Sequence, residues 1–310
     1  MAESSESGER RIYTDPQGRE FHYIYFDNGH YQLGVHFSAF FGDWGDAPKY
    51  RSTFGGYFHR LKMLSSDQAL DWLFLCDAYG ADENGTYYIG RQSDRFVEQA
   101  VRAILADVGV GDRYQPTSIV MIGSSMGATG ALRNGLALAV KGIVAISPHI
   151  DLDTSAKLQG RERHVAWILN DGHTQSPSNH GVTRDIRRAV DAYLASNRRL
   201  PDLFIQSCRD DIGVHHEQVL PLVEQWSRGG LVMLDERRSG GHTSEYATRE
   251  LILDAVHSLL ENSPIVIFKY KWQRRFRPYG MCKGFYTRCR RGVGKLKRAT
   301  VGRTSKVPEE

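Results

Sequence analysis

The stretch SIVMIGSSMGATGALRNG (118–135) constrains the fold more than any other part of the chain. A branched apolar run passes without a loop into a knot of Gly, Ser and Ala, and the knot passes into a helix-like segment. A chain that turns this sharply from strand to helix brings its own backbone close together, and only small residues fit there. The knot reads G-x-S-x-G centred on Ser125, with Gly123 and Gly127 two residues to either side. That spacing stands a serine proud of a sheet edge on a strained turn, where a side chain at either flanking position would clash. The helix that follows begins with its positive end beside the serine, and the Met126 N–H points where an oxyanion would develop. Ser124 lacks glycines at the same offsets and is the weaker candidate nucleophile.

The rest of the chain supplies the sheet. Strand-like runs occur at 12–16, 20–27, 31–41, 71–80, 118–123, 142–149, 202–210 and 230–238. The first two read as a hairpin around Gln17-Gly18. Helical patterns lie between the later ones. Residues 93–110 place Phe96, Val97, Ala100, Ile104 and Leu105 on one face with Ser93 as N-cap, and 214–228 and 243–262 follow the same period. Residues 56–63 read as a helix over the sheet. Strands alternating with helices predict an α/β fold, a mostly parallel eight-stranded sheet flanked by helices. Residues 151–200 break the rhythm. They hold a strand-like segment at 164–171 and a helix at 183–197, and read as a cap or as one more strand-helix unit.

A nucleophilic serine needs a base and an acid that orients it. In this architecture they follow the serine in the order acid, then histidine. IQSCRDD places Asp210 and Asp211 after the next-to-last strand, and RRSGGHTSEY places His242 in a glycine-containing loop after the last. Asp210 is the expected acid, five residues beyond Ile205, with Asp211 as the alternative; either could instead cap the helix that follows. Histidine alone means little in a chain with 12 of them. Position selects His242, whereas His215, His216 and His257 fall inside helix patterns.

With Ser125, the Asp210 region and His242 each at a strand end and in this order, the chain resembles the serine α/β-hydrolases over roughly residues 12–262. The resemblance implies the eight-stranded sheet and acyl-enzyme chemistry that uses no metal and no cofactor. It departs from the family in one place: where many esterases carry HGGG, this chain has HFSAFFGDWG (36–45). A second oxyanion donor is expected near Ser38, Ala39 or Phe40, with Ala39 favoured, and the bulky residues imply a different acyl pocket with Phe40 in it. FSAFFG, LFLCDAYGADENGTYYIG, GSSMGATGAL and CRDDIGVHHEQVLPLV also resemble hydrolase-fold proteins of bacterial capsule and surface-glycan synthesis, including the acetyltransferase-like component of accessory secretion systems. That implies an esterase or O-acyltransferase working on glycans, or a non-catalytic partner in such an assembly.

Asp77 ends the fourth strand candidate, at the edge where open α/β sheets bind ligands. It is a candidate substrate contact, or else a turn cap with Tyr87 and Tyr88 packed over it. His173 and His180 lack a metal-ligand partner at usual spacing, so no metal site is expected. Residues 1–11 are polar, without the apolar core of a secretory signal, and read as a disordered lead-in. No apolar run approaches the ~20 residues of a membrane span. Four cysteines, Cys76 and Cys208 in apolar runs and Cys282 and Cys289 without metal partners, fit a reducing, cytoplasmic setting.

The net charge of +4 conceals an asymmetry. Residues 265–310 carry 14 Lys or Arg against two Glu, a net of +12, which leaves −8 for residues 1–264. The segment interleaves these cations with Trp, Phe and Tyr. Such a composition suits an anionic membrane surface or another polyanion. No nucleic-acid-binding motif accompanies it. The domain reading is a lead-in (1–11), a hydrolase-like domain (12–264) and a basic aromatic tail (265–310).

Overall fold

Eight strands of the computed structural model form one sheet in the order β1-β2-β4-β3-β5-β6-β7-β8. The structure describes residues 8–40, 57–81, 83–169, 181–242 and 245–261. The chain divides into two units, Met1–Ser263 and Pro264–Glu310. The second unit, with the basic segment, Cys282 and Cys289, lies outside the described residues, as do His173 and His180.

The sheet opens with an antiparallel hairpin of β1 (Glu9–Thr14) and β2 (Glu20–Phe26), closed by Asp15 and Gly18. The first strand starts at Glu9, inside the expected lead-in, because the backbone of Glu9–Arg11 pairs with Tyr23–Tyr25 despite its polar side chains. β2 runs antiparallel to β4 (Asp71–Leu75). From there every pairing is parallel, through β3 (Leu33–Phe37), β5 (Ile119–Ser124), β6 (Gly142–Ile146), β7 (Asp202–Cys208) and β8 (Val232–Arg237). Strands β3 to β7 are buried at every position, which is why they read as continuous apolar runs.

Helices cover both faces. Gly142 and Ile143 are successive residues of β6, so they face opposite sides of the sheet. A methyl at Gly142 would meet Leu259 of α7 (Arg249–Glu261), whereas Ile143 lies against Gly135 of α2 (Met126–Leu138). α1 (Phe96–Asp107), α5 (Asp185–Ala195) and α6 (Leu220–Trp226) pack their apolar residues into the same core as Ile143. α1 begins later than its sequence suggests. Arg95 stands at its N-terminus in left-handed geometry and Ser93 does not cap it.

The 151–200 segment contributes helices and no strand among the described residues: α3 (Leu152–Gln159), α4 (Glu162–Leu169) and α5. Of the expected strand at 164–171, the described residues 164–169 are instead helical, in α4. Its buried residues are His164, Val165 and Ile168, a helical spacing that a short apolar run disguises as a strand. Of the helix expected at 56–63, the described residues form one helical turn, Leu61–Leu64. No helix among the described residues is long and apolar enough to cross a membrane.

Candidate active site

β5 ends at Ser124 and α2 begins at Met126, so the strand-to-helix turn is one residue, Ser125. Its backbone sits at φ 51°, ψ −120°, a strained conformation that its surroundings must enforce. They do so partly through the Ser125 N–H, which donates to Ile146 O at 2.8 Å. The flanking glycines are sterically required. A Cβ at Gly123 would lie 2.2 Å from the Gly127 carbonyl, and one at Gly127 would lie 2.1 Å from Phe37 O. Gly127→Ala should therefore destabilise the fold by about 3 kcal/mol or more, read as a lowered urea midpoint.

Ser125 Oγ lies 2.8 Å from His242 Nε2. His242 Nδ1 lies 2.8 Å from Asp211 Oδ2. An ionised carboxylate only accepts, so Nδ1 carries the proton and Nε2 presents its lone pair to the serine hydroxyl. Asp211 is 5% exposed, and its second oxygen accepts from Gln159 Nε2 at 3.1 Å. Gln159 is the last residue of α3, so the 151–200 segment reaches the acid directly.

The carboxylate at His242 is thus Asp211, not the favoured Asp210. β7 runs three residues past Ile205, through buried Gln206, Ser207 and Cys208, and ends two residues short of the strand-like run read to 210. Asp210 falls in the turn, where Oδ2 accepts from Gly240 N at 2.9 Å and Oδ1 from Gly241 N at 2.8 Å. Those two N–H groups hold its carboxyl below the ordinary range. It braces the loop that carries His242. Ser124 is 2% exposed and accepts a short hydrogen bond from Arg60, so it is not presented as a nucleophile.

Met126 is the first residue of α2, and its N–H is among the helix donors that have no intrahelical acceptor. The carbonyls of Phe37, the last residue of β3, and of Ser38 pack against Gly127, and the second donor is expected on the residues that follow. Ser38 N–H is engaged by Leu75 O at 3.0 Å, which leaves Ala39 and Phe40 of the three residues first considered. The Phe40 ring stands edge-on to His164 of α4, with centroids 4.6 Å apart.

Asp77 is not a substrate contact. It is 3% exposed and its carboxylate accepts from Thr86 N, Thr86 Oγ1, Tyr88 N and Tyr79 N. Burial lifts its pKa above the ordinary carboxyl range despite those donors. The clamp holds Tyr87 and Tyr88 at φ 55° and 59°. Asp77→Ala strands several buried donors and should cost about 3 kcal/mol or more in chemical denaturation.

One site residue escaped the sequence reading entirely. His149 follows β6, is 1% exposed, and packs its ring 4.8 Å from that of His242. Burial keeps it neutral, well below the usual histidine range. Its place just past a parallel strand's carboxyl end was the available signal. No group of His, Cys, Asp and Glu among the described residues is arranged to hold a metal ion.

No family model and no curated protein sequence matches the chain. Solved structures do. It is similar to the capsule O-acetyltransferase of Neisseria meningitidis serogroup A, with a TM-score of 0.60 and 18% identity over 79% of this chain and 96% of that one. It is similar to an S-formylglutathione hydrolase from Agrobacterium tumefaciens, with a TM-score of 0.54 and 14% identity over 84% and 97%. A glycosylation-associated protein complex (Gap123) from Streptococcus agalactiae gives 0.52 and 19% over 87% of this chain and 47% of that one. These likenesses establish the fold as that of the α/β-hydrolases.

Proposed function

We propose that the protein is a serine-dependent acyl hydrolase or O-acyltransferase acting on glycans. The observation that carries this reading is the unbroken hydrogen-bonded chain from Asp211 through His242 to Ser125, on a strained turn at a strand end. Ser125 Oγ attacks an acyl carbonyl while His242 Nε2 takes its proton. Asp211 holds the imidazole in the required tautomer and stabilises the imidazolium. The Met126 N–H, with Ala39 or Phe40, receives the negative oxygen. His242 then protonates the leaving group. Water or a sugar hydroxyl resolves the acyl-enzyme by the same steps reversed. The glycan class is supported by the likeness to the capsule O-acetyltransferase, and a mutant of that enzyme solved with CoA makes an acyl thioester the donor to test first.

A second reading is a non-catalytic partner in a glycosylation assembly, favoured by the likeness to the Gap123 complex. The basic aromatic segment would then be a docking element on an anionic membrane surface or another polyanion, with the domain on the cytoplasmic side. A fluorophosphonate probe separates the two. Covalent labelling of the wild type, lost in Ser125→Ala, is the expected result; a folded wild type that stays unlabelled overturns the catalytic reading.

A further inference from the structure

Three polar groups, His149 against His242, Tyr87 against His149, and Arg161 on the Phe40 ring, have no hydrogen-bond partner for a polar atom among the described residues. The first is His149 Nε2. Its other nitrogen, Nδ1, lies 2.8 Å from Ser155 Oγ. The Ser155 hydroxyl donates to Asp151 O at 3.0 Å and accepts from Gln218 Nε2 at 3.2 Å. With the serine's single proton on Asp151 O, His149 Nδ1 is the donor to Ser155 Oγ. Nε2 is left as a buried lone pair with no hydrogen-bond donor. An orphaned buried acceptor is costly to leave unpaired and calls for a ligand.

The second is the Tyr87 hydroxyl. The ring is 1% exposed, stands 5.6 Å edge-on to His149, and makes no hydrogen bond among the described residues. Burial pushes its pKa up to about 12, so it keeps its proton. The left-handed backbone that the Asp77 clamp imposes on Tyr87 is the kind of strain that accumulates at ligand sites.

The third is the Arg161 guanidinium, on the turn between α3 and α4. It stacks 4.8 Å from the Phe40 ring centroid and, among the described residues, has no carboxylate partner and no side-chain hydrogen bond. Its charge acts on both His149 and Tyr87. The contrast with Arg95, Arg113 and Arg133 is informative, since each of those is paired with Asp or Glu. A guanidinium stacked on a ring keeps its edge N–H groups free for a planar anion.

We infer that His149, Tyr87 and Arg161 form the acyl-acceptor subsite, and that the acceptor is an anionic sugar-type molecule with neighbouring hydroxyls. This inference rests on the acyl-transfer reading above. The reacting hydroxyl faces His242 Nε2, an adjacent hydroxyl donates to His149 Nε2, and the phosphate or carboxylate lies on Arg161 with the Tyr87 hydroxyl at hand. In the transfer step the acceptor oxygen bonds to the acyl carbon and the bond from that carbon to Ser125 Oγ breaks. The hydroxyl proton passes to His242 Nε2 and from there to Ser125 Oγ.

The test is protection of Ser125 from the fluorophosphonate probe by glucose 1-phosphate, glucose 6-phosphate, glucuronate, inorganic phosphate and methyl glucoside. At least one charged sugar should protect at a concentration about tenfold or more below methyl glucoside, as expected for a charge-assisted contact. Arg161→Gln should erase that difference, and Arg161→Lys should restore part of it. Protection by a phosphate sugar but not by glucuronate identifies the anion as phosphate, and the reverse as carboxylate. His149→Phe should weaken protection by the sugars without changing that by inorganic phosphate. Equal protection by charged and neutral sugars, protection by inorganic phosphate alone, or a charge preference that survives Arg161→Gln overturns the subsite while leaving the catalytic reading intact. A wild type that does not label overturns both.

Discussion

Ser125→Ala should lower acyl-ester turnover by about a millionfold, to the level left by binding and oxyanion contacts alone. The magnitude follows from how the parts of such a relay depend on one another. Without Oγ, the lone pair that His242 presents has no hydroxyl to activate, and Asp211 orients an idle base. His242→Ala should cost about as much, and the double variant little more than either single one. A burst assay with p-nitrophenyl acetate, with circular dichroism to confirm the fold, reads all three. Additive losses in the double variant would mean that serine and histidine act in separate steps. Folding should survive Ser125→Ala, because the turn is fixed by the two glycines and by the Ser125 N–H rather than by its hydroxyl. Removing the side chain relieves none of the crowding there and breaks one hydrogen bond, that to His242.

Most of the fold was legible because the buried parallel strands have no choice of composition. β3 to β7 are covered on both faces and so must be apolar almost throughout, and the elbow must be Gly-Ser-Gly because backbone carbonyls occupy the space where side chains would go. Edges were harder. β1 is half in water, so Glu9 and Arg10 look like loop residues although their backbones pair with β2. The segment 164–169 misled for the opposite reason: in a run this short, a helix that buries His164, Val165 and Ile168 and a strand have the same hydrophobicity. At the site, serine and histidine were fixed by position in the chain. Gln159 was invisible because nothing local marks it, and His149 carried only its place past the end of β6. His149 matters because a distant loop brings His242 onto its ring, and Gln159 because α3 ends against Asp211.

The acid exposes the same limit, and it provides the second large prediction. Asp210 and Asp211 are neighbours of identical chemistry, yet their surroundings give them different work. Asp211 is buried and holds His242 Nδ1 on one oxygen, while Gln159 holds the other. In Asp211→Asn the amide can turn an N–H toward His242, which favours the tautomer with the proton on Nε2 and leaves no lone pair for the Ser125 hydroxyl. Turnover should fall about ten-thousandfold with the fold intact. Asp210→Asn should fall far less, because an amide oxygen can still accept from Gly240 or Gly241 and hold most of the loop. The pH profiles should also part. In Asp210→Asn the pH profile should keep the wild-type shape. In Asp211→Asn a partial recovery should appear at high pH, where hydroxide takes over the role of the base. Gln159→Ala belongs between the two: Asp211 keeps its bond to His242 but loses the contact that sets its angle, so kcat should drop by about tenfold, the range typical of groups that orient a catalytic side chain, while the KM for a small ester stays the same. Equal losses in Asp210→Asn and Asp211→Asn would mean that the loop, rather than the carboxylate on Nδ1, governs the histidine.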